Sequence, residues 1–182
     1  MHSRTDVRFT YEDYLSVPEG SSERFEIIDG ELFVTPTPRF RHQQVVMNVS
    51  RILSTLVLEH GLGEVVASPI TVRLADDSVT EPDVVFLGLD RLGIIEGGRI
   101  HGAPDLVVEV LSASNSGYDR GLKRRKYMSS GVPELWILDA DEDTVEVWRP
   151  GMRTAEPAHV VVLWRVAEQS FEISLADVFR RS

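Results

Sequence analysis

The stretch DLVVEVLSASNSGYDRGLKRRKYMSSGVPELWILD, residues Asp105–Asp139, predicts a strand, a helix and a second strand in succession. Its two apolar runs, DLVVEVLS and ELWILD, are typical of strands that are buried on both faces of a sheet. A polar turn leads from the first run into the helix, for which we expect Asp119 as the N-cap and Gly131 as the stop. The segment therefore places a helix against one face of a central sheet.

The segments before this stretch predict a hairpin, a long helix and two more strands. Asp29 and Gly30 separate the strand-like runs RFEII and ELFVT, which is a strong hairpin signal. From His42 to about His60, apolar residues recur at three- and four-residue spacing, as in an amphipathic helix. EVVASPITVRL and DVVFL are expected as strands, and RLGIIEGGRIHGAP as a glycine-rich loop with one short helical turn.

The order of these elements predicts an α/β (α+β) fold with a central mixed β-sheet flanked by helices, one on each face. We expect an N-terminal hairpin, extra C-terminal strands and a short terminal helix. The 182 residues fit a single domain over residues 1–182. Its core would cover about residues 10–150, and a C-terminal β extension about residues 143–182.

Composition excludes several classes of protein. The chain has no cysteine, so it has neither a disulfide framework nor a thiolate metal site. No apolar run approaches the roughly 18–20 residues that span a bilayer, so we expect no membrane partner. The N-terminal segment MHSRTDVRFTYEDYL contains no apolar signal core. We therefore expect a cytoplasmic protein.

The charge distribution bears on nucleic-acid binding. A net charge of −10 argues against a broad surface for phosphates, because phosphate binding needs clustered cations. A local cationic patch remains possible, since five of the seven residues from Arg120 to Lys126 are basic. The only two lysines of the chain, Lys123 and Lys126, lie in this run. The same acidity suits a site that binds divalent cations through carboxylates.

Two carboxylates interrupt the predicted strands. Asp83 opens DVVFL directly after Pro82, and Glu109 lies inside DLVVEVLS with valines on both sides. A buried carboxylate needs a metal, a cationic partner or a raised pKa. Glu109 could instead face solvent on an edge strand or pair with an arginine. Together with a lysine from the next helix, the two carboxylates would hold Mg²⁺ or Mn²⁺ while the ammonium assists an attacking water.

Five sequence pieces carry a resemblance to a known family. EPDVVF, DLVVEVLS and YDRGLKRRKYMSSGVPELWILD, in this order, resemble the PD-(D/E)XK nuclease superfamily and, more closely, its Uma-type restriction endonuclease family. FEIIDGEL and RHQQVVMNV resemble the N-terminal half of that family, so the likeness covers about residues 10–150. The resemblance implies a restriction-endonuclease-like core that hydrolyses phosphodiester bonds of DNA with Mg²⁺ or Mn²⁺. It also implies a homodimer, for which the strands from Val145 to Val166 offer a contact surface.

The resemblance assigns roles to individual residues. Asp83 matches the acidic residue of the PD element and Glu109 that of the E-x-K element, which makes both metal ligands. Leu111 stands where the superfamily has its lysine. Uma-type proteins carry the lysine on the following helix in a YDRxxK segment, which makes Lys123 the catalytic lysine. Lys126 is the rival, because three residues later it projects near the same face.

Other residues are candidates for the surroundings of the site. Of the two glutamates that flank the hairpin turn, we expect Glu31 rather than Glu26 to supply a further carboxylate. Arg124 and Arg125 are expected on a solvated basic face that touches substrate phosphate. Each candidate also has an ordinary structural explanation, such as a helix start, a turn residue or a core anchor. The residues that could line the site are Glu31, His42, Ser112, Lys126 and Tyr127.

Three functions are compatible with the pattern. The first is the metal-dependent nuclease with Asp83, Glu109 and Lys123. The second is a catalytically inactive nuclease-fold module for binding or regulation, because Leu111 replaces the usual lysine and a fold alone does not establish activity. The third is a metal-dependent hydrolase of another phosphate ester.

Overall fold

The computed structural model describes residues 7–17, 23–35, 37–111 and 116–181. In this part of the chain no helix is long and apolar enough to cross a membrane. The helices are α1 (Tyr11–Leu15), α2 (Phe40–His60), α3 (Ser116–Tyr118), α4 (Arg124–Ser129) and α5 (Leu175–Val178), with a 3-10 helix over Leu89–Ile94 and a π-helical turn over Asp119–Lys123.

The strands follow the hydrophobic runs of the sequence closely. They are β1 (Arg24–Ile28), β2 (Glu31–Thr35), β3 (Gly63–Ala67), β4 (Val72–Ala75), β5 (Ser78–Thr80), β6 (Val84–Gly88), β7 (Ile95–Glu96), β8 (Arg99–His101), β9 (Leu106–Leu111), β10 (Glu134–Asp139), β11 (Thr144–Trp148), β12 (Glu156–Ala158), β13 (Val161–Val166) and β14 (Gln169–Ser174).

The central sheet has the strand order β12-β11-β10-β9-β6-β3. β9 and β10 run parallel, and the crossover between them carries α3, the π-helical turn and α4. The other neighbours in this sheet are antiparallel. The mixed sheet predicted from the sequence is confirmed. β11 and β12, which lie in the predicted C-terminal extension, continue this sheet, whereas β13 and β14 form a separate hairpin.

The two faces of the central sheet are covered by different elements. On one face, Val84, Phe86 and Val108 pack in a core cluster with the apolar side of α2, including Val49 and Leu53. Burial of each such aliphatic side chain stabilises the fold by about 1.5–3 kcal/mol. This face explains why the three- and four-residue spacing in α2 is apolar, and the helix predicted there is confirmed.

The opposite face of the central sheet carries the side chains that alternate with these along strands β6 and β9. Val85 of β6 and Val107 of β9 pack there with Tyr127 of α4. Because successive side chains of a strand point to opposite faces, Asp83 and Glu109 lie on this second face, with Val85 and Val107. The alternation therefore brings both predicted carboxylates to the side that α4 covers.

A second sheet lies beside this face, with the order β2-β1-β5-β4-β8-β7. Its first two strands form the predicted hairpin, in which Ile28 pairs with Glu31 across a two-residue turn. Asp29 and Gly30 have φ values of 51° and 80°. Both values are left-handed, as a two-residue hairpin turn of primed type requires, so this prediction is confirmed.

The continuous strand predicted over EVVASPITVRL is wrong. The run divides into β3, which pairs in the central sheet, and β4, which pairs in the second sheet. Pro69 lies between them and has no N–H to donate to a ladder. The glycine-rich segment expected as a loop is also more ordered, because it forms the 3-10 helix and the β7–β8 hairpin, in which Gly97 and Gly98 have positive φ.

The start of the second predicted helix is a further correction. Asp119 is not an N-cap, because α3 begins at Ser116 and the chain continues through the π-helical turn into α4. Lys123 therefore does not lie in the first turn of a helix. The predicted stop is confirmed, since α4 ends at Ser129 and Gly131 has a φ of 85°.

Candidate active site

Four carboxylates and two cations come together where the second sheet meets the central sheet. The four carboxylates and the lysine are each buried to 2–7% exposure, and the arginine side chain is 21% exposed. So many buried charges occur in proteins only where they are paired or bind a ligand. The six residues are Arg24, Glu26, Asp83, Glu109, Asp119 and Lys123.

Asp83 is held as a carboxylate by three donors. The backbone N–H of Val110 donates to its Oδ2 at 2.8 Å, and Arg24 Nη1 donates to its Oδ1 at 3.0 Å. His42 Nε2 lies 3.2 Å from Oδ2. Burial alone would raise the pKa of Asp83, but the hydrogen bond and charge of His42, together with Arg24, outweigh burial and lower this pKa to about 2.

Glu109 has the opposite electrostatic character. Tyr127 donates its phenolic O–H to Glu109 Oε1 at 2.6 Å, and Lys123 Nζ lies 2.7 Å from the same oxygen. Burial raises the pKa of Glu109 to about 8 despite the favourable charge of Lys123, and the charges of Asp83 and Asp119 add to the rise. Its ionised form is therefore costly in the protein alone.

Lys123 lies at the centre of the cluster. Its Nζ is 2.9 Å from Glu26 Oε1 and 2.7 Å from Glu109 Oε1, whereas Asp119 Oδ1 is more distant, at 3.8 Å. Burial alone would lower the pKa of Lys123, but Glu109 and Glu26 outweigh it and raise this pKa well above its usual value. The side chain is therefore a permanent ammonium, and two short contacts leave its third N–H for another acceptor.

The π-helical turn presents Lys123 and Asp119 to this cluster. Such turns occur as single insertions in α-helices, frequently at functional sites. Burial raises the pKa of Asp119 to about 6 against the favourable charge of Lys123, and Glu26 adds to the rise. Asp119, which resembled a capping residue in the sequence, is thus a buried member of the site.

The two lysines reach different carboxylates of the same hairpin. Lys126 Nζ lies 2.7 Å from Asp29 Oδ1 at the exposed turn, while Lys123 reaches Glu26 inside strand β1. Both side chains face the hairpin, as the spacing of three residues predicts. Only Lys123 contacts Glu109.

Comparisons with known proteins show the family of the chain. The sequence model of the Uma2 family, described as "Putative restriction endonuclease", matches residues 11–178. The chain belongs to the Uma2 family. An uncharacterized protein, sll1609, from Synechocystis sp. is 27% identical to it over 127 residues, which cover 69% of this chain and 70% of that protein.

A solved structure shares the fold of this Uma2 family member. It is described as a putative nuclease belonging to DUF820 from Anabaena variabilis, and the two chains superpose with a TM-score of 0.79. The match covers 94% of this chain and 97% of that chain at 24% identity. The restriction-endonuclease-like, mixed α/β fold expected from the sequence is therefore confirmed.

The hairpin supplies a different glutamate from the one expected. Glu31 is exposed at the start of β2, whereas Glu26 is buried against Lys123. Glu26 also accepts a hydrogen bond from the backbone N–H of Glu81 at 2.8 Å. In RFEII, Glu26 lies between apolar residues of a strand, which is the same signal that identified Glu109. Arg24, two residues earlier on the same face, was missed as well.

The basic run of the sequence does not form an open cationic patch in this Uma2 family member. Arg120 pairs with Glu146 at 2.7 Å and with Asp139 at 3.1 Å. Arg124 is half-buried, and its guanidinium stacks on Trp148 at 4.2 Å from the ring centroid. Arg125 is exposed.

The remaining candidates are located as follows. Tyr127 is fully buried and bonded to Glu109, so it anchors α4 and also touches the cluster. His42 is buried beside Asp83, and its Nδ1 has no hydrogen-bond partner among the described residues. Ser112 lies outside the described residues.

The donor set fits a divalent cation in its chemistry, although the described residues form no preformed cage. Within the described ranges, no three histidine, aspartate or glutamate side chains converge as a metal-binding group. Asp83 and Glu109 are nevertheless neighbours across β6 and β9, since Val84 pairs with Val108. With all four carboxylates ionised, their charge exceeds that of Arg24 and Lys123 by two, because four acidic groups face two cations. Carboxylate oxygens are the ligands that Mg²⁺ and Mn²⁺ prefer.

Proposed function

We propose that the chain is a divalent-metal-dependent nuclease that hydrolyses phosphodiester bonds of DNA. The observation that carries this proposal is the buried ammonium of Lys123, held by Glu26 and Glu109 on the sheet face that Asp83 shares. When all four carboxylates are ionised, their excess of two negative charges over Arg24 and Lys123 favours the binding of a divalent cation. The Uma2 family description supports the same reaction class.

Asp83 and Glu109 are the proposed ligands of Mg²⁺ or Mn²⁺. Asp83 is ionised at all physiological pH values because its pKa is about 2, so it is ready to bind a cation. Glu109 has to lose its proton on binding, because its pKa is about 8 in the protein alone. When bound, such an ion supplies Lewis-acid stabilisation of the charge that develops on the phosphate.

Lys123 is the proposed catalytic lysine, and Lys126 is not. The ammonium of Lys123 remains charged throughout, so it acts by position and charge and not as a base. Its third N–H can orient the attacking water or bond to a phosphate oxygen. Glu26 and Tyr127 act through contacts: Glu26 fixes the ammonium, and Tyr127 fixes the oxygen of Glu109 that the ammonium also contacts.

The quaternary arrangement proposed from the family is a homodimer in the cytoplasm. The chain carries a net charge of −10, and most of its basic run is engaged with its own side chains. Electrostatic attraction of one chain to DNA is therefore weak. A second copy would supply the second active site for a double-strand cut.

A cleavage assay tests the proposed function. Single- and double-stranded DNA are incubated with Mg²⁺ or Mn²⁺ and the wild type, Glu109→Gln or Lys123→Ala, with Lys126→Ala as the matched control. We expect cleavage by the wild type and the control, and a loss of at least about 100-fold in the other two, as for removal of a single catalytic group. Activity that survives both substitutions would overturn the site. If calorimetry detects no divalent cation binding to the wild type, the inactive nuclease-fold module is the correct function.

A further inference from the structure

An aromatic pair borders the cluster on the side of the hairpin. Phe33 of β2 pairs with Glu26 of β1 in the strand register, and directly opposed residues project from the same face of a sheet. The Phe33 and Tyr118 rings lie 4.5 Å apart between centroids, at an interplanar angle of 37°. Lys123 Nζ is 6.0 Å from the Tyr118 ring centroid. Two partly exposed rings therefore lie next to the ammonium.

Neither ring is explained by the proposed chemistry or by the two main cores. Phe33 and Tyr118 are absent from the core clusters on the two faces of the central sheet. The Tyr118 hydroxyl is buried but has no hydrogen-bond partner among the residues that the structure describes. Burial raises the pKa of Tyr118 and Glu26 adds to the rise, so the hydroxyl remains a neutral donor beside the carboxylates. The described residues therefore leave the hydrogen-bonding capacity of this hydroxyl unused.

The charge of the chain gives these rings added importance. Proteins that bind single strands combine a positive groove with aromatic side chains on which bases stack. The basic run Arg120–Lys126 is largely paired internally, so cationic attraction contributes little here. Stacking does not depend on net charge and tolerates any base, because every base has a π-face.

We propose that Phe33 and Tyr118 form a stacking platform for the nucleobase next to the scissile phosphate. The inference rests on the proposed nuclease function and specifies its substrate as single-stranded or locally unpaired DNA. A base inside a duplex is stacked on its neighbours and cannot lie on the platform without leaving the helix. Phe33 and Tyr118 are thus specificity-determining residues that act through their rings.

Binding of a fluorescent oligonucleotide tests the platform without relying on turnover. The probe is single-stranded DNA that contains 2-aminopurine, and all proteins carry Glu109→Gln so that the strand stays intact with Mg²⁺ present. We expect quenching on binding, and a loss of about 5- to 150-fold in affinity for Phe33→Leu or Tyr118→Leu, which corresponds to one stacked base. Tyr118→Phe should retain most of the affinity, since it keeps the ring.

A matched control is Phe171→Leu. Phe171 is another partly buried aromatic residue, and it pairs with Trp164 at 5.9 Å on the C-terminal hairpin. This control should change affinity less than twofold. Circular dichroism of each variant establishes that the fold is retained.

An abasic position in the strand gives the decisive comparison. Removal of the stacked base should weaken binding by the parent protein, but should not weaken binding by Phe33→Leu any further. If both proteins lose the same factor, or if the parent binds no single strand, the platform is overturned. Binding with the expected base dependence, but no cleavage by the wild type, overturns the nuclease and retains the platform. Cleavage by the wild type, with binding that does not depend on the base, overturns the platform and retains the nuclease.

Discussion

Replacement of Glu109 by glutamine should make the metal-free protein more stable at neutral and alkaline pH. The pKa of Glu109 rises from 4.5 to about 8 on folding, with burial as the main cause. A carboxyl group with a raised pKa contributes its full stability below pH 4.5, and this contribution is lost as the pH rises through 8. Glutamine keeps the size and neutrality of the protonated side chain, and its Oε1 can accept the hydrogen bond from Tyr127.

The magnitude follows from the two pKa values. One pKa unit corresponds to about 1.36 kcal/mol, so the raised pKa of Glu109 lowers the stability of the wild type, relative to acidic pH, by about 3 kcal/mol at pH 7 and about 4 kcal/mol at pH 8. Glu109→Gln should therefore be close to the wild type at pH 5 and exceed it by about that amount at pH 8. A gain in stability at the expense of activity is the signature of a residue kept for function.

Urea denaturation in EDTA at pH 5, 6, 7 and 8 measures the difference. The other shifted groups, Asp83 and Asp119, are present in both proteins, so the difference curve reports Glu109 together with its electrostatic effect on these two groups. Glu31→Gln, at an exposed position of the hairpin, is the matched control and should show no rise with pH. The reasoning is refuted if the difference between Glu109→Gln and wild type stays constant or falls from pH 5 to pH 8. Added Mn²⁺ should stabilise the wild type but not Glu109→Gln.

Three other predictions can be tested separately by chemical denaturation. Lys123→Met should destabilise the fold by about 3–5 kcal/mol, because it removes the cationic partner of buried carboxylates. Lys126→Met, at a more exposed ion pair, should cost about 1 kcal/mol or less. Equal costs for the two substitutions would contradict the assignment of Lys123 to the site. Asp83→Asn should cost about 2 kcal/mol at pH 7, because folding lowers this pKa from 3.8 to about 2. That contribution is present above pH 3.8 and is lost as the pH falls through 2. A difference in stability between wild type and Asp83→Asn that does not shrink at acidic pH would argue against the lowered pKa. Gly30→Ala should cost about 1 kcal/mol, because its φ of 80° is left-handed; a neutral result would show that the turn relaxes.

Local sequence patterns located two of the four carboxylates of the cluster, Asp83 and Glu109, but not Glu26 or Asp119. Asp83 and Glu109 stood out because charges interrupted apolar strands, and the alternation of side chains brings both to one face. Glu26 carries the same signal, yet its position near an obvious turn made solubility an adequate explanation. Its pairing with Lys123 joins residues 97 positions apart, since they are numbered 26 and 123. Such long-range pairing depends on how the two sheets meet, which no short pattern contains.

Lys123 illustrates the limit of local reasoning. The resemblance to the Uma-type family selected it, whereas the local expectation that Asp119 caps this helix is wrong. The basic run also misled, since cations that are adjacent in sequence are distributed to separate acidic partners and to one indole ring. Charge counts in a segment do not give the surface charge of a fold.

The scarcity of lysine gives this protein a built-in spectroscopic reporter. Isotope labelling of lysine would produce two side-chain signals, one from the buried site at Lys123 and one from Lys126 at the hairpin turn. A ligand that enters the cluster should shift the first signal and leave the second as an internal reference. Amine-reactive reagents should likewise modify Lys126 before Lys123, because their side chains are 13% and 4% exposed. The arginine-rich composition thus makes the state of one ammonium readable in the intact protein.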